Sequence, residues 1–167
     1  MPDSTIVTVT KTVDRGGYDK GWDMMVELKG GSCFGSGGFG GNVVLEHEFH
    51  KYLAWDVVSL DFSSPFDFDF VDFGIKTGLR YFTPYFWESA KMRVYANVAV
   101  GWDCAIWVDS DIRELSKILG RSTTWHGCGL SGGVGTQFLK HFYVGYTLEY
   151  STAMKNTSHF AKIAYRF

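Results

Sequence analysis

His159-Phe-Ala-Lys-Ile-Ala-Tyr-Arg-Phe167 decides the fold. Successive side chains on an extended chain point to opposite sides. Ala161, Ile163, Tyr165 and Phe167 therefore share one face, and Lys162, Ala164 and Arg166 share the other. The stretch closes on an aromatic residue, where a water-exposed terminus is usually frayed and polar. One greasy face, one charged face and a closing aromatic predict a barrel wall whose outer side meets lipid.

The same two-residue period recurs upstream. Met92, Val94, Ala96, Val98, Val100, Trp102, Cys104 and Ile106 oppose Arg93, Tyr95, Asn97, Ala99, Gly101 and Asp103. Phe142, Val144, Tyr146, Leu148 and Tyr150 oppose Tyr143, Gly145, Thr147 and Glu149, and Trp22, Met24, Val26 and Leu28 oppose Asp23, Met25, Glu27 and Lys29. Val71, Phe73, Ile75, Leu79 and Tyr81 oppose Asp72, Gly74, Lys76, Gly78 and Arg80. Period two marks strands. Eight are predicted, over about 18–33, 39–50, 53–62, 68–82, 91–108, 124–138, 142–152 and 157–167, each near or above the ~9–11 residues a tilted membrane strand needs. Phe66, Phe68 and Phe70 run in the opposite phase to Val71 onward, which predicts a β-bulge near Phe70–Val71.

The connections alternate. His50-Lys51-Tyr52 and Leu139-Lys140-His141 are short, whereas 109–123 is long and polar. The layout is that of an all-β, closed, up-and-down antiparallel transmembrane barrel of eight strands. The 82–91 connection is longer than the short-turn side leads one to expect. Within 109–120, Asp111-x-x-Glu114 reads as a capping box, Ile112, Leu115 and Leu119 recur at helical spacing, and Gly120 suits a C-terminal cap. The cluster Gly30–Gly41 lacks the lysine and the helix of a phosphate loop and is expected to be a flexible outer loop. Residues 1–17 form a tail or an extra strand, and 18–167 form the barrel domain.

Composition sets limits. Net charge is −2, which gives no electrostatic case for nucleic acid. Aromatics are 17%, and there are 20 glycines against 3 prolines. Mean hydropathy is −0.05, which alternating strands produce by averaging. Met1-Pro-Asp-Ser has no basic segment followed by an apolar run, so an outer-membrane destination implies a leader already removed.

Alternation alone does not say which face is inside. A soluble, lipocalin-like ligand-binding barrel alternates too, with apolar residues inward. Side-chain bulk and glycine placement put the polar face inside. An eight-stranded lumen is just wide enough to fill with side chains, and the apolar face carries Trp22, Phe49, Trp55, Phe73, Tyr81, Trp102, Phe138, Phe142, Tyr146, Tyr150, Tyr165 and Phe167. Glycines 74, 78, 101, 127, 129, 133, 135 and 145 fall on the polar face, where they relieve crowding. The expected lumen then holds Asp23, Glu27, Lys29, Glu46, Glu48, Asp72, Lys76, Arg80, Arg93, Asp103, Glu149, Lys162 and Arg166. Buried charges must be paired, so these predict a salt-bridged filling in preference to a narrow porin-like channel.

On these residues the chain resembles the small outer-membrane β-barrel family that includes the OmpA membrane domain and OmpX. The carriers are Gly21-Trp-Asp-Met-Met-Val-Glu-Leu28, Tyr95-Ala-Asn-Val-Ala-Val-Gly-Trp102, Gly132-Gly-Val-Gly-Thr-Gln-Phe138 and Tyr143-Val-Gly-Tyr-Thr-Leu-Glu-Tyr150. The resemblance implies a bacterial outer-membrane location, contact with the bilayer and lipopolysaccharide, and loops 34–38, 62–67, 109–123 and 152–156 facing outward toward an unknown extracellular ligand. Tyr165 and Phe167 look like the signal read by the barrel-assembly machinery. The role it implies is structural or surface-directed; the family also contains a few enzymes.

Candidate chemistry is sparse, and no cofactor motif is present. A hairpin centred near Ser116 puts Cys104 opposite Cys128, which suggests a cross-strand disulfide and leaves Cys33 free. His126, Cys128 and Glu149 bear a poor likeness to the His, Ser and acid of lipid A deacylase barrels, a lipid-modifying alternative. His47 and His50 lack the further ligands a metal needs. Asp61, Asp67, Asp69 and Asp72 read as a solvated acidic rim.

Overall fold

The computed structural model describes residues 21–120 and 122–167. Eight strands run β1 (Trp22–Cys33), β2 (Ser36–His50), β3 (Leu53–Pro65), β4 (Phe70–Phe82), β5 (Arg93–Trp107), β6 (Thr124–Phe138), β7 (Phe142–Ser151) and β8 (Asn156–Arg166). One helix, α1 (Ser110–Ile118), lies between β5 and β6. Each strand pairs antiparallel with its chain neighbour, and β8 pairs with β1, so the sheet closes and leaves no edge. The chain is an all-antiparallel, up-and-down, eight-stranded β-barrel. The tail or extra strand expected over 1–17 lies outside the described residues.

Side chains sort by strand phase. Val94, Val98, Val100 and Trp102 of β5 are exposed on the outer wall, while Arg93, Tyr95, Asn97 and Asp103 are buried inside. Val98 is 64% exposed and Arg80, on the inner face of β4, is 1% exposed. Glycine supplies the space for this filling. A methyl group at Gly129 would collide with the Asp103 carboxylate, and one at Gly145 would lie 2.5 Å from the Tyr95 hydroxyl.

The structure differs from the sequence-based expectation at three places. The bulge lies in β3, not at Phe70–Val71: between Asp56 and Ser59 the register of β3 shifts against β4, leaving Val57 and Val58 opposite Thr77. The inward phase therefore changes from Asp56 to Ser59, Asp61 and Ser63. The Thr77 hydroxyl ties the bulge, accepting from Trp55 Nε1 at 2.9 Å and donating to Asp56 O at 3.0 Å. The phase change near Phe70 is absorbed by the turn after Pro65, where Phe68 takes φ +57°.

Second, the Gly30–Gly41 cluster is not a loop. Gly30 and Gly31 lie in β1 and Gly37 to Gly41 in β2, joined at Phe34-Gly35 with φ +49° and +100°. Two consecutive positive φ values match the right-handed twist of a hairpin, and glycine meets that demand without strain. Third, α1 is capped by Asp109, whose Oδ1 accepts the Asp111 N–H at 2.8 Å, so Asp111 is not the capping residue. Gly120 closes the helix at φ +62°, its N–H reaching Lys117 O at 3.3 Å.

Candidate functional site

The lumen concentrates the polar chemistry of the molecule in two storeys. The lower one, toward the β2–β3, β4–β5 and β6–β7 connections, is built on arginines. Arg80 Nη1 lies 3.0 Å from Glu46 Oε2, and its Nη2 lies 3.0 Å from Asp56 Oδ2 and 3.9 Å from Glu27 Oε1. Its guanidinium lies 5.6 and 5.5 Å from the ring centres of Tyr95 and Tyr143. Arg166 Nη1 pairs with Glu46 at 3.1 Å, with Asp23 at 3.7 Å, and with Glu48. Arg93 pairs with Glu48 at 3.1 Å, donates to Gln137, and stacks 3.6 Å from the Phe82 ring centre. Lys162 reaches Glu27 at 3.2 Å.

The upper storey is built on lysines. Lys29 Nζ lies 2.9 Å from Asp61 and 2.7 Å from Glu149. Lys76 Nζ stands off at 4.0 Å from Asp61 and 3.9 Å from Asp103. Lys29 and Lys162 are directly paired across β1 and β8. Like charges so placed repel, and the carboxylates of Glu27, Asp61 and Glu149 lie against them. Asp72 faces this storey with a buried Oδ1 that lacks a hydrogen-bond partner among the described residues. Above it, Cys33, Phe70 and Phe160 form an apolar cluster, flanked by Phe34, Trp107 and Met154.

The thirteen lumenal charges named from the sequence all lie on the inner face, Asp23 being the least buried of them. Asp56 and Asp61 join them, and sequence reasoning missed both. Among the described residues the lumen thus has nine carboxylates, Asp23, Glu27, Glu46, Glu48, Asp56, Asp61, Asp72, Asp103 and Glu149, around six cations, Lys29, Lys76, Arg80, Arg93, Lys162 and Arg166. The signal for the missed pair was Val57-Val58, two apolar neighbours interrupting an alternating run, which is how a bulge shows itself. The expected acidic rim divides accordingly: Asp61 and Asp72 are lumenal, whereas Asp67 and Asp69 lie in the β3–β4 turn. In that turn, desolvation and then repulsion from Asp67 and Asp109 hold the Asp69 carboxyl above the ordinary aspartate range.

The outer-wall constellations do not assemble. Cys104 faces His126 and Cys128 faces Trp102, so the expected Cys104–Cys128 disulfide is not formed and all three thiols are free. The hairpin is centred on Leu115, and moving its centre by one residue moves the register by two. Glu149 points inward to Lys29, while His126 stacks on Trp102 outside at 5.5 Å, so the wall separates the acid from the imidazole. Tyr165 and Phe167 lie on the outer face at the end of β8, in edge-to-face contact at 4.8 Å and continuous with Phe142 and Phe138.

No family model and no curated protein matches the chain. Solved structures do match. Neisserial surface protein A aligns with a TM-score of 0.57 at 16% identity, covering 87% of this chain and 95% of that one. The N-terminal β-barrel domain of Pseudomonas aeruginosa OprF gives 0.52 at 12%, covering 87% and 97%. A de novo designed transmembrane β-barrel gives 0.53 at 10%, covering 90% and 98%. The chain has the fold of the small eight-stranded outer-membrane barrels. A designed protein shares it, so the likeness concerns architecture and carries no activity.

Proposed function

We propose that this chain is an integral protein of a bacterial outer membrane, a sealed barrel whose role is structural or surface-directed. The observation that carries this is the inverted distribution of residues: Leu28, Ile75, Val98 and Ile163 stand exposed on the wall while Lys29, Arg80, Asp103 and Lys162 are buried within it. In water such a continuous apolar wall would far exceed the few hundred Å² a soluble monomer usually exposes. In hydrocarbon it costs nothing, and closure satisfies every strand.

The lumenal charges serve as filling. Among the described residues, six cations held among nine carboxylates, under the Cys33–Phe70–Phe160 cap, oppose an ion path. Phe138, Phe142, Tyr165 and Phe167 form the belt at the turn end, where rings prefer head-group depth. Tyr165 and Phe167 act as the assembly signal in this reading. The turn end then faces the periplasm, and the hairpin ends carrying α1 and the 66–69 and 152–155 turns face outside, toward lipopolysaccharide and an extracellular ligand.

Reconstitution tests the proposal. The folded chain is expected to stay with vesicles through an alkaline carbonate wash and to give no conductance steps in a planar bilayer. Release by the wash would contradict membrane integration, and discrete steps would contradict the sealed lumen.

A further inference from the structure

We propose that the β4–β5 connection is a membrane foot that seats on the phosphates of anionic phospholipid; this rests on the membrane-spanning reading above. The connection is the long one on the short-turn side, yet it is ordered. Thr83 N–H donates to Val94 O at 2.9 Å, Phe86 N–H to Met92 O at 3.0 Å and Met92 N–H to Trp87 O at 3.1 Å, so the hairpin continues below the barrel. Lys91 N–H to Glu88 O closes it at 3.2 Å, and Leu139 N–H to Ala90 O at 2.9 Å ties it to the β6–β7 turn.

This tied unit leaves large apolar side chains uncovered. Tyr85 turns its ring to Arg93 at 5.3 Å, but Phe86 is 62%, Trp87 57% and Leu139 55% exposed. A flexible loop can bury such residues against itself; a hydrogen-bonded hairpin cannot. The next residue along from Leu139, Phe138, begins the aromatic belt, stacked on Phe142 at 5.5 Å. The uncovered patch is therefore continuous with the lipid-facing wall.

Charge selects the lipid. The three turns at this end carry Lys51, Lys91 and Lys140 against a single carboxylate, Glu88, which lies 3.5 Å from Lys91. Indole and phenyl groups at head-group depth with lysines beside them fit an anionic surface. Each lysine near such a surface favours it about five-fold.

The test uses refolded protein in vesicles containing acyl-brominated phosphatidylglycerol or, at the same mole fraction, acyl-brominated phosphatidylcholine. Two variants keep one tryptophan each, Trp87 or the wall residue Trp102, the other five being replaced by Phe. If these do not fold, W87F and W102F in the otherwise intact chain give the same readings by difference. Trp102 is expected to be quenched by both lipids alike. Trp87 is expected to be quenched several-fold more by the anionic lipid, and the excess is expected to vanish in the Lys51→Gln/Lys91→Gln/Lys140→Gln variant. Quenching of Trp102 without Trp87 would overturn the foot and leave the surface to a protein partner. Equal quenching of Trp87 by both lipids, or an excess unmoved by the lysine changes, would overturn the anionic choice. Silence of both tryptophans would instead strike the membrane reading itself.

Discussion

Arg80 shows how much of the lumen depends on one side chain. Three carboxylates, Glu27, Glu46 and Asp56, surround its guanidinium, and the side chain is buried. Removing one partner of a buried ion pair leaves an uncompensated charge and typically costs 3–5 kcal/mol. Arg80→Met is expected to destabilise the barrel by about that much, read as a fall in the urea midpoint in lipid vesicles. Adding Glu46→Gln and Asp56→Asn should restore part of the loss, since the penalty comes from the stranded charges. Glycine positions make the complementary case. Gly145→Val would press a side chain on the Tyr95 hydroxyl and the Val134 carbonyl. Overpacking of this kind costs about 1–3 kcal/mol, and the same urea titration should detect it.

At the scale of elements, the β3 bulge decides which acids enter the lumen. Its phase change turns Asp61 inward onto Lys29 while keeping Asp56 inward onto Arg80. Thr77 holds the arrangement through one bond accepted and one donated. Thr77→Val keeps the shape and loses both, for an expected cost of about 1–2 kcal/mol, measured as the vesicle urea midpoint against Thr77→Ser, which should retain most of the stability. Strand existence was legible in the sequence because period two survives over most of each segment. Strand ends were less so, since Gly30–Gly41 looked like a loop: glycine carries no outward or inward signal, and only the pairing of β1 with β2 shows the hairpin continuing through it. Register was the least legible. It is set by turn geometry, and a hairpin centre misplaced by one residue was enough to set Cys104 against Cys128 in place of His126. The inward turn of Asp61 was hidden by another cause, a bulge concealed in a pair of valines.

For the whole molecule, bulk on one face and glycine on the other mark the same inside. The structure gives them a common physical origin. A lumen this narrow accepts Arg80, Tyr95 and Tyr143 together where neighbouring strands yield volume, and Gly129, Gly135 and Gly145 provide it beneath Asp103 and Tyr95. The large aromatics of the apolar face have no such room and stand outside. Function was legible less far, because the wall separates Glu149 from His126, and the described loops carry little chemistry that residue type alone decodes.

The central claim is that the apolar wall requires a lipid-like solvent. Heat-modifiable gel mobility tests it most directly. After refolding in detergent, the unboiled chain is expected to migrate as a compact band distinct from the boiled one, and to form no such band when refolded in aqueous buffer alone. A stable, monomeric β-sheet protein obtained in buffer without detergent or lipid would contradict the account.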